Sequence, residues 1–156
     1  MKSKPRPKVF IFKAALAGDK HIWRKIAIPG DHTLEDLHKA IFFAFDRFDE
    51  HLYSFFLTSI QTKSEKKIME SPEYASPMSI EEDYLSDEQD KYNAGEIKIE
   101  DLDLEINDTF YYLFDYGDEW WHEIRLENME EFQKGQLHPQ LVEARGKSPK
   151  QYPDQE

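Results

Sequence analysis

The chain's 156 residues suit one domain with a real core, and although hydrophobic content is only 39%, aromatic content of 14% supplies large buried areas. It contains no cysteine, which excludes disulfides, thiolate catalysis and zinc–thiolate sites. A net charge of −12 repels nucleic acid and anionic membranes at long range, and no run of about 18 apolar residues is present to span a bilayer.

Residues 1–7, MKSKPRP, read as a flexible basic arm, because two prolines among charged and polar groups have nothing to bury. No apolar run of signal-peptide length follows, so a cytoplasmic protein is expected. Residues 1–25 hold eight Lys/Arg against the single acid Asp19, whereas residues 81–105 hold eleven acids against Lys91 and Lys98. The basic end suits phosphate and the acidic middle opposes wrapping. Nucleic acid is disfavoured as a partner, and steering between the two halves of the chain is the plainer use of the charge.

VFIFKAAL (Val9–Leu16) and HIWRKIAI (His21–Ile28) are β-rich runs joined through Gly18-Asp19, a hairpin turn signal. In the second run Ile22, Arg24, Ile26 and Ile28 share one face, and Trp23, Lys25 and Ala27 the other. Pro29-Gly30 ends that strand. DHTLEDLHKAIFFAF is then a helix, with Thr33 and Asp36 at capping-box spacing and a stripe of Leu34, Leu37, Ala40, Ile41, Ala44 and Phe45. Phe42 and Phe43 widen the stripe, which predicts burial on more than one side. HLYSFFLTS (His51–Ser59) is short and aromatic, and a third strand is expected.

Residues 60–95 lose periodicity and predict a long acidic loop, with room for one short strand or helical turn, inserted in the single domain spanning 8–156. Order returns at IKIEDLDL, where Ile97, Ile99, Leu102 and Leu104 can reach a core. FYYLFDYGDEWWHEI (Phe110–Ile124) predicts a hairpin turning at Gly117-Asp118, with Asp115 opposite Trp120, Leu113 opposite His122, Tyr111 opposite Ile124 and Thr109 opposite Leu126. After Asn128 a short helix over MEEFQKGQL is expected, and then Pro139, Pro149 and Pro153 favour an extended C-terminal strap.

IWRKIAIPGDHTLEDLHKAI, HLYSF and FYYLFDYGDEWWHEI together resemble the plasmid pRiA4b ORF-3-like family, and GKSPKQYPD is similar to its C-terminal pattern. The third block matches an aromatic strand followed by Asp-Phe-Gly-Asp, Trp and His, with Tyr116 here in place of the phenylalanine. The match reaches from about residue 8 to 154, interrupted at 60–95. The resemblance implies an α+β fold in which a small mixed sheet packs against the helix. Family members have no established biochemical activity and are sometimes described as passengers of mobile elements. With the pattern above, the expectation is a small mixed or antiparallel sheet of about five strands on one main helix.

Three sets of side chains are candidates for function. Asp115, Asp118 and His122, with His51 and His38 completing a shell, are suitable ligands for a divalent metal. Against this, an Asp in a turn commonly bonds backbone amides, and no His-Glu-x-x-His or EF-hand pattern occurs. Trp23 with Arg24 is a candidate surface for a carboxylate or phosphate, although Arg24 equally suits an internal pair with Asp115 or Asp118. Trp120, Trp121, Tyr116 and Tyr53, together with Phe114, are candidates for lining a ligand groove, since rings on both faces of a hairpin cannot all enter one core. The leading expectation is a non-enzymatic module that binds a protein or small ligand, with no cofactor. A metal-dependent hydrolase and a mobile-element-associated nucleic-acid-binding accessory protein are the alternatives.

Overall fold

The computed structural model describes residues 6–82 and 91–153. The strands are β1 (Val9–Leu16), β2 (Asp19–Pro29), β3 (Tyr53–Ser59), β4 (Glu73–Ala75), β5 (Lys91–Asn93), β6 (Thr109–Phe114), β7 (Trp120–Glu130) and β8 (Gln140–Arg145). The helices are α1 (Leu34–Ala44), α2 (Glu65–Met69) and α3 (Pro77–Glu82), with a 3₁₀ turn at Ile99–Leu102. All eight strands form one sheet in the order β5-β4-β3-β6-β7-β1-β2-β8, antiparallel except at β4–β5.

The α+β character is as expected, and the strand count is not. Three strands lie beyond the expected five. The stretch 60–95, expected to be a long acidic loop, carries α2, β4, α3 and β5 among its described residues, and 83–90 lie outside them. β4 and β5 are only three residues long, too short for an alternating pattern to register. The expected strap begins as β8, which pairs with β2 from Trp23↔Arg145 to Ala27↔Gln140. All six of its residues are exposed, so it has no buried face to reveal it. The expected helix after Asn128 is absent: Met129 and Glu130 continue β7. Of the expected flexible arm, residues 1–5 lie outside the described residues, and the Arg6 guanidinium rests 5.3 Å over the Phe132 ring.

α1 forms where its pattern predicts. Thr33 accepts from the Asp36 amide and the Asp36 carboxylate accepts from the Thr33 amide, so two otherwise unpaired N–H groups at the helix start are satisfied. Leu34, Leu37, Ile41 and Phe45 press onto Phe12, Ile26, Ile28, Phe55, Phe110, Tyr112 and Phe114 in the main core. Phe42 joins them, but Phe43 is 72% exposed, so burial is from one side only. The opposite sheet face has a smaller core of Phe56, Ile68, Tyr111 and Leu113 with Trp121, and α2 supplies Ile68. Both faces are therefore covered, which accounts for rings on both faces of the β6–β7 hairpin.

The hairpin register differs from expectation by one residue. Phe114 faces Trp120, Leu113 faces Trp121, Tyr112 faces His122 and Phe110 faces Ile124. The connection is a five-residue loop, 115–119, rather than a two-residue turn. Asp115 and Glu119 adopt positive φ at 66° and 53°, and Asp115 Oδ1 accepts from the amides of Gly117 and Asp118 at 3.0 and 3.2 Å. An Asp side chain that mimics a backbone acceptor thus replaces the glycine turn. The one-residue slip moves His122 onto the same face as Tyr112 and into the main core.

Candidate functional site

The chemically rich part of the molecule lies where the end of α1, the 115–119 loop and the C-terminal segment meet. α1 stops in a Schellman motif: Asp46 takes positive φ (55°), its amide donates to the Phe43 carbonyl, and the Arg47 amide donates to that of Phe42. The reversal sends Arg47 back into the protein, where it is 7% exposed. Its guanidinium carbon lies 5.1, 5.0 and 5.5 Å from the rings of Phe45, Phe114 and Trp120. Burial lowers its pKa to about 10, so it is still a cation at neutral pH.

Two histidines sit beside it in a continuous buried network. His122 Nδ1 is 3.2 Å from the Tyr112 carbonyl and its Nε2 is 2.7 Å from Arg47 Nη2. A carbonyl only accepts and a guanidinium only donates, so the network assigns the proton to Nδ1 and the lone pair to Nε2. Burial, reinforced by the Arg47 charge, holds the His122 pKa well below its ordinary value. His38 Nδ1 is 2.5 Å from the Tyr112 hydroxyl, and its Nε2 is 2.8 Å from Glu50 Oε1. Here the tautomer is the reverse: Tyr112 donates to Nδ1 and Nε2–H donates to Glu50. Burial also lowers the His38 pKa, outweighing the Glu50 hydrogen bond that acts the other way. Glu50 is in turn held below the ordinary carboxylate range by that hydrogen bond.

Nearer the surface, His51 Nε2 is 2.6 Å from the Tyr152 hydroxyl, which donates to Asp49 Oδ2 at 2.6 Å. Asp115 Oδ2 is 3.5 Å from the same imidazole nitrogen. Gln151 fastens this corner, accepting from the amides of Phe48 and Asp49 and donating to the Asp49 carbonyl at 2.7 Å.

Of the five proposed metal ligands, the structure brings together only His51 and Asp115, and His38 has both ring nitrogens bonded to Tyr112 and Glu50. Asp118 is exposed in the loop, and His122 directs its lone pair at a guanidinium, whose charge repels a cation. No group of three or more His, Asp or Glu among the described residues is arranged to hold a metal ion.

Arg24 reaches neither Asp115 nor Asp118. Its five N–H donors go to the carbonyls of Ala44, Trp23, Arg145 and Gly146 and to Ser148 Oγ, at 2.6–2.9 Å. Trp23 is on the opposite face of the strand, with Lys13 Nζ 4.7 Å and Lys25 Nζ 5.7 Å from its ring, so Trp23 and Arg24 do not form one surface. Tyr53 is buried, stacked on His38 with centroids 3.7 Å apart. Tyr116 folds back, its hydroxyl 2.6 Å from Ser54 Oγ and 2.9 Å from the Tyr53 carbonyl.

Trp120 and Trp121 do line a groove. It has a volume of about 970 Å³ and lies across the end of the sheet, where the β1–β2 turn meets the β6–β7 loop. Leu16, Ile22, Tyr111 and Pro149 add apolar wall, and Asp19, Lys20, Asp118, Glu119 and Glu123 mark its rim. The Ala17 amide ties the two turns together by donating to the Trp121 carbonyl at 2.9 Å.

Sequence reasoning missed Arg47, Glu50 and Tyr112. The one available signal is DRFDE (Asp46–Glu50), where a basic residue sits between two phenylalanines immediately after an apolar helix.

The fold is shared with a solved structure, the protein of unknown function MM3350 from Methanosarcina mazei Go1, at TM-score 0.71 and 23% identity over 94% of this chain and 74% of that one. No curated protein matches the sequence. The sequence profile of the plasmid pRiA4b ORF-3-like proteins matches residues 8–152, and the chain belongs to that family.

Proposed function

We propose that this protein is a non-enzymatic binding module that takes a small ligand, or a side chain of a protein partner, in the groove between the β1–β2 turn and the β6–β7 loop. One observation carries this reading: the two adjacent tryptophans of the hairpin both line the groove. Trp120 and Trp121 point to opposite faces of their strand, yet the groove wraps the sheet end and meets both. Large amphipathic rings bring contact area at low entropic cost, which is why they dominate binding surfaces. The titratable groups behind the groove are bonded to one another: His38 to Glu50 and Tyr112, His122 to Arg47, His51 to Tyr152. That arrangement favours holding shape over proton transfer to a substrate.

The three tryptophans provide an internal control. In an NMR fragment screen observing indole N–H signals, binders are expected to shift Trp120 and Trp121 saturably and leave Trp23 in place. Trp121→Ala is expected to weaken such binders by about 1–2 kcal/mol while the fold persists. Hits that shift only Trp23, or fragments chemically converted during the screen, would overturn the reading.

A further inference from the structure

Against Trp120, which lines the groove, packs a buried cation, the Arg47 guanidinium. Arg47 makes no ion pair among the described residues. Its Nη2 faces His122, and its Nη1 is buried without a hydrogen-bond partner. The Trp120 indole Nε1, on the ring against which Arg47 packs, is likewise buried and unpartnered. Buried donors nearly always have acceptors, and a desolvated charge is normally compensated. Two orphaned donors on touching side chains, one charged and both otherwise well fixed, define a receptor for an acceptor-rich anion.

The rim narrows the chemistry. Asp19, Glu65, Asp118, Glu119 and Glu123 surround the groove against Lys20 and Lys63, so a dianion meets strong repulsion on the way in. A single carboxylate meets less, and its two oxygens match donors on a planar guanidinium. The apolar walls suit an apolar body behind that headgroup. We propose that Arg47 and Trp120 receive the carboxylate of an apolar monocarboxylic acid whose body lies along the groove. Pro149 also lines the groove, on a segment with no regular secondary structure. The side chains around the two donors must yield on binding, because neither donor atom touches solvent.

The inference rests on the groove reading above and is tested separately from it. The probes are 4-phenylbutyrate, its neutral isostere 4-phenylbutyramide, and inorganic phosphate, observed at the indole signals and by calorimetry. The acid is expected to shift the Trp120 Nε1–H saturably and to bind at least about tenfold more tightly than the amide, with phosphate weaker than either. Arg47→Met is expected to abolish the preference for acid over amide while amide binding remains. Trp120→Phe, which keeps a ring and removes only the indole donor, is expected to weaken the acid about threefold or more and the amide less, because a neutral carbonyl is the weaker acceptor. If Arg47→Met does not fold, this second variant decides. Equal affinity for acid and amide overturns the carboxylate receptor while leaving the groove reading intact. Phosphate binding as tightly as the acid overturns the monocarboxylate assignment. No acid-dependent shift at Trp120 up to about 10 mM, weaker than any useful site, overturns the receptor outright.

Discussion

Arg24 and Arg47 are both buried cations, and their surroundings differ in a way that predicts different mutational costs. Arg24 places all five donors on protein acceptors, so Arg24→Met strands four carbonyls and a hydroxyl, and a loss of at least about 3 kcal/mol is expected in denaturant titration. Arg47 has one partnered terminal nitrogen and one that is orphaned, with no ion pair among the described residues. Arg47→Met relieves the desolvation of a charge without a counter-ion while giving up its ring contacts and stranding the His122 lone pair, and these opposing effects are expected to keep the change in stability within about 1 kcal/mol. The two histidines set a pH dependence. Both have folded pKa values below the ordinary imidazole value, so the unfolded chain binds their protons first as pH falls. Their stabilising contribution is complete above about pH 6.5 and is lost on acidification below it, with a limiting slope near 1.4 kcal/mol per pH unit for each histidine. Urea titrations at pH 7.5, 6.0 and 5.0 are expected to show this fall, and His122→Gln to reduce the slope by about one histidine's share.

At the scale of elements, the β6–β7 loop shows how a local motif places the site. Asp115 combines positive φ with acceptance of two backbone amides. Asp115→Asn keeps both the side-chain oxygen and tolerance of that backbone region, and is expected to be near neutral. Asp115→Ala loses both, and about 1–2 kcal/mol of stability is expected to go with it, read from the thermal midpoint. Because strand side chains alternate, this loop also decides which residues face the core. The hairpin itself was legible in the alternating rings of FYYLF and WWHEI. Its register was not, since both FYY and WWH offer apolar side chains on either face, and a shift by one leaves each face equally hydrophobic. α1 was legible for the opposite reason: one stripe and a Thr33–Asp36 capping pair admit a single solution.

At the scale of the whole molecule, the C-terminal segment joins the sheet and the site. β8 pairs with β2, Arg145, Gly146 and Ser148 supply three of Arg24's acceptors, and Gln151 and Tyr152 brace the loop after α1. A chain ending at Gln136 is therefore expected to lose amide-exchange protection along β2 and several degrees of thermal midpoint. Unchanged protection on β2 would show that β8 contributes nothing to that edge. None of the described helices is long and apolar enough to cross a membrane.

By itself the sequence determined the elements whose periodicity is strong and local: the β1–β2 hairpin with its inward Arg24, Ile26 and Ile28, the capped helix, and an α+β fold. Only the tertiary structure decided what those elements bring together. β4, β5 and β8 are strands because neighbours supply their hydrogen bonds, and their own side chains carry no buried alternating pattern. Arg47 meets His122 and Trp120 across more than seventy positions of chain. Burial, orphaned donors and lowered imidazole pKa values are properties of that meeting, since they depend on which surfaces exclude water together and no residue carries them alone.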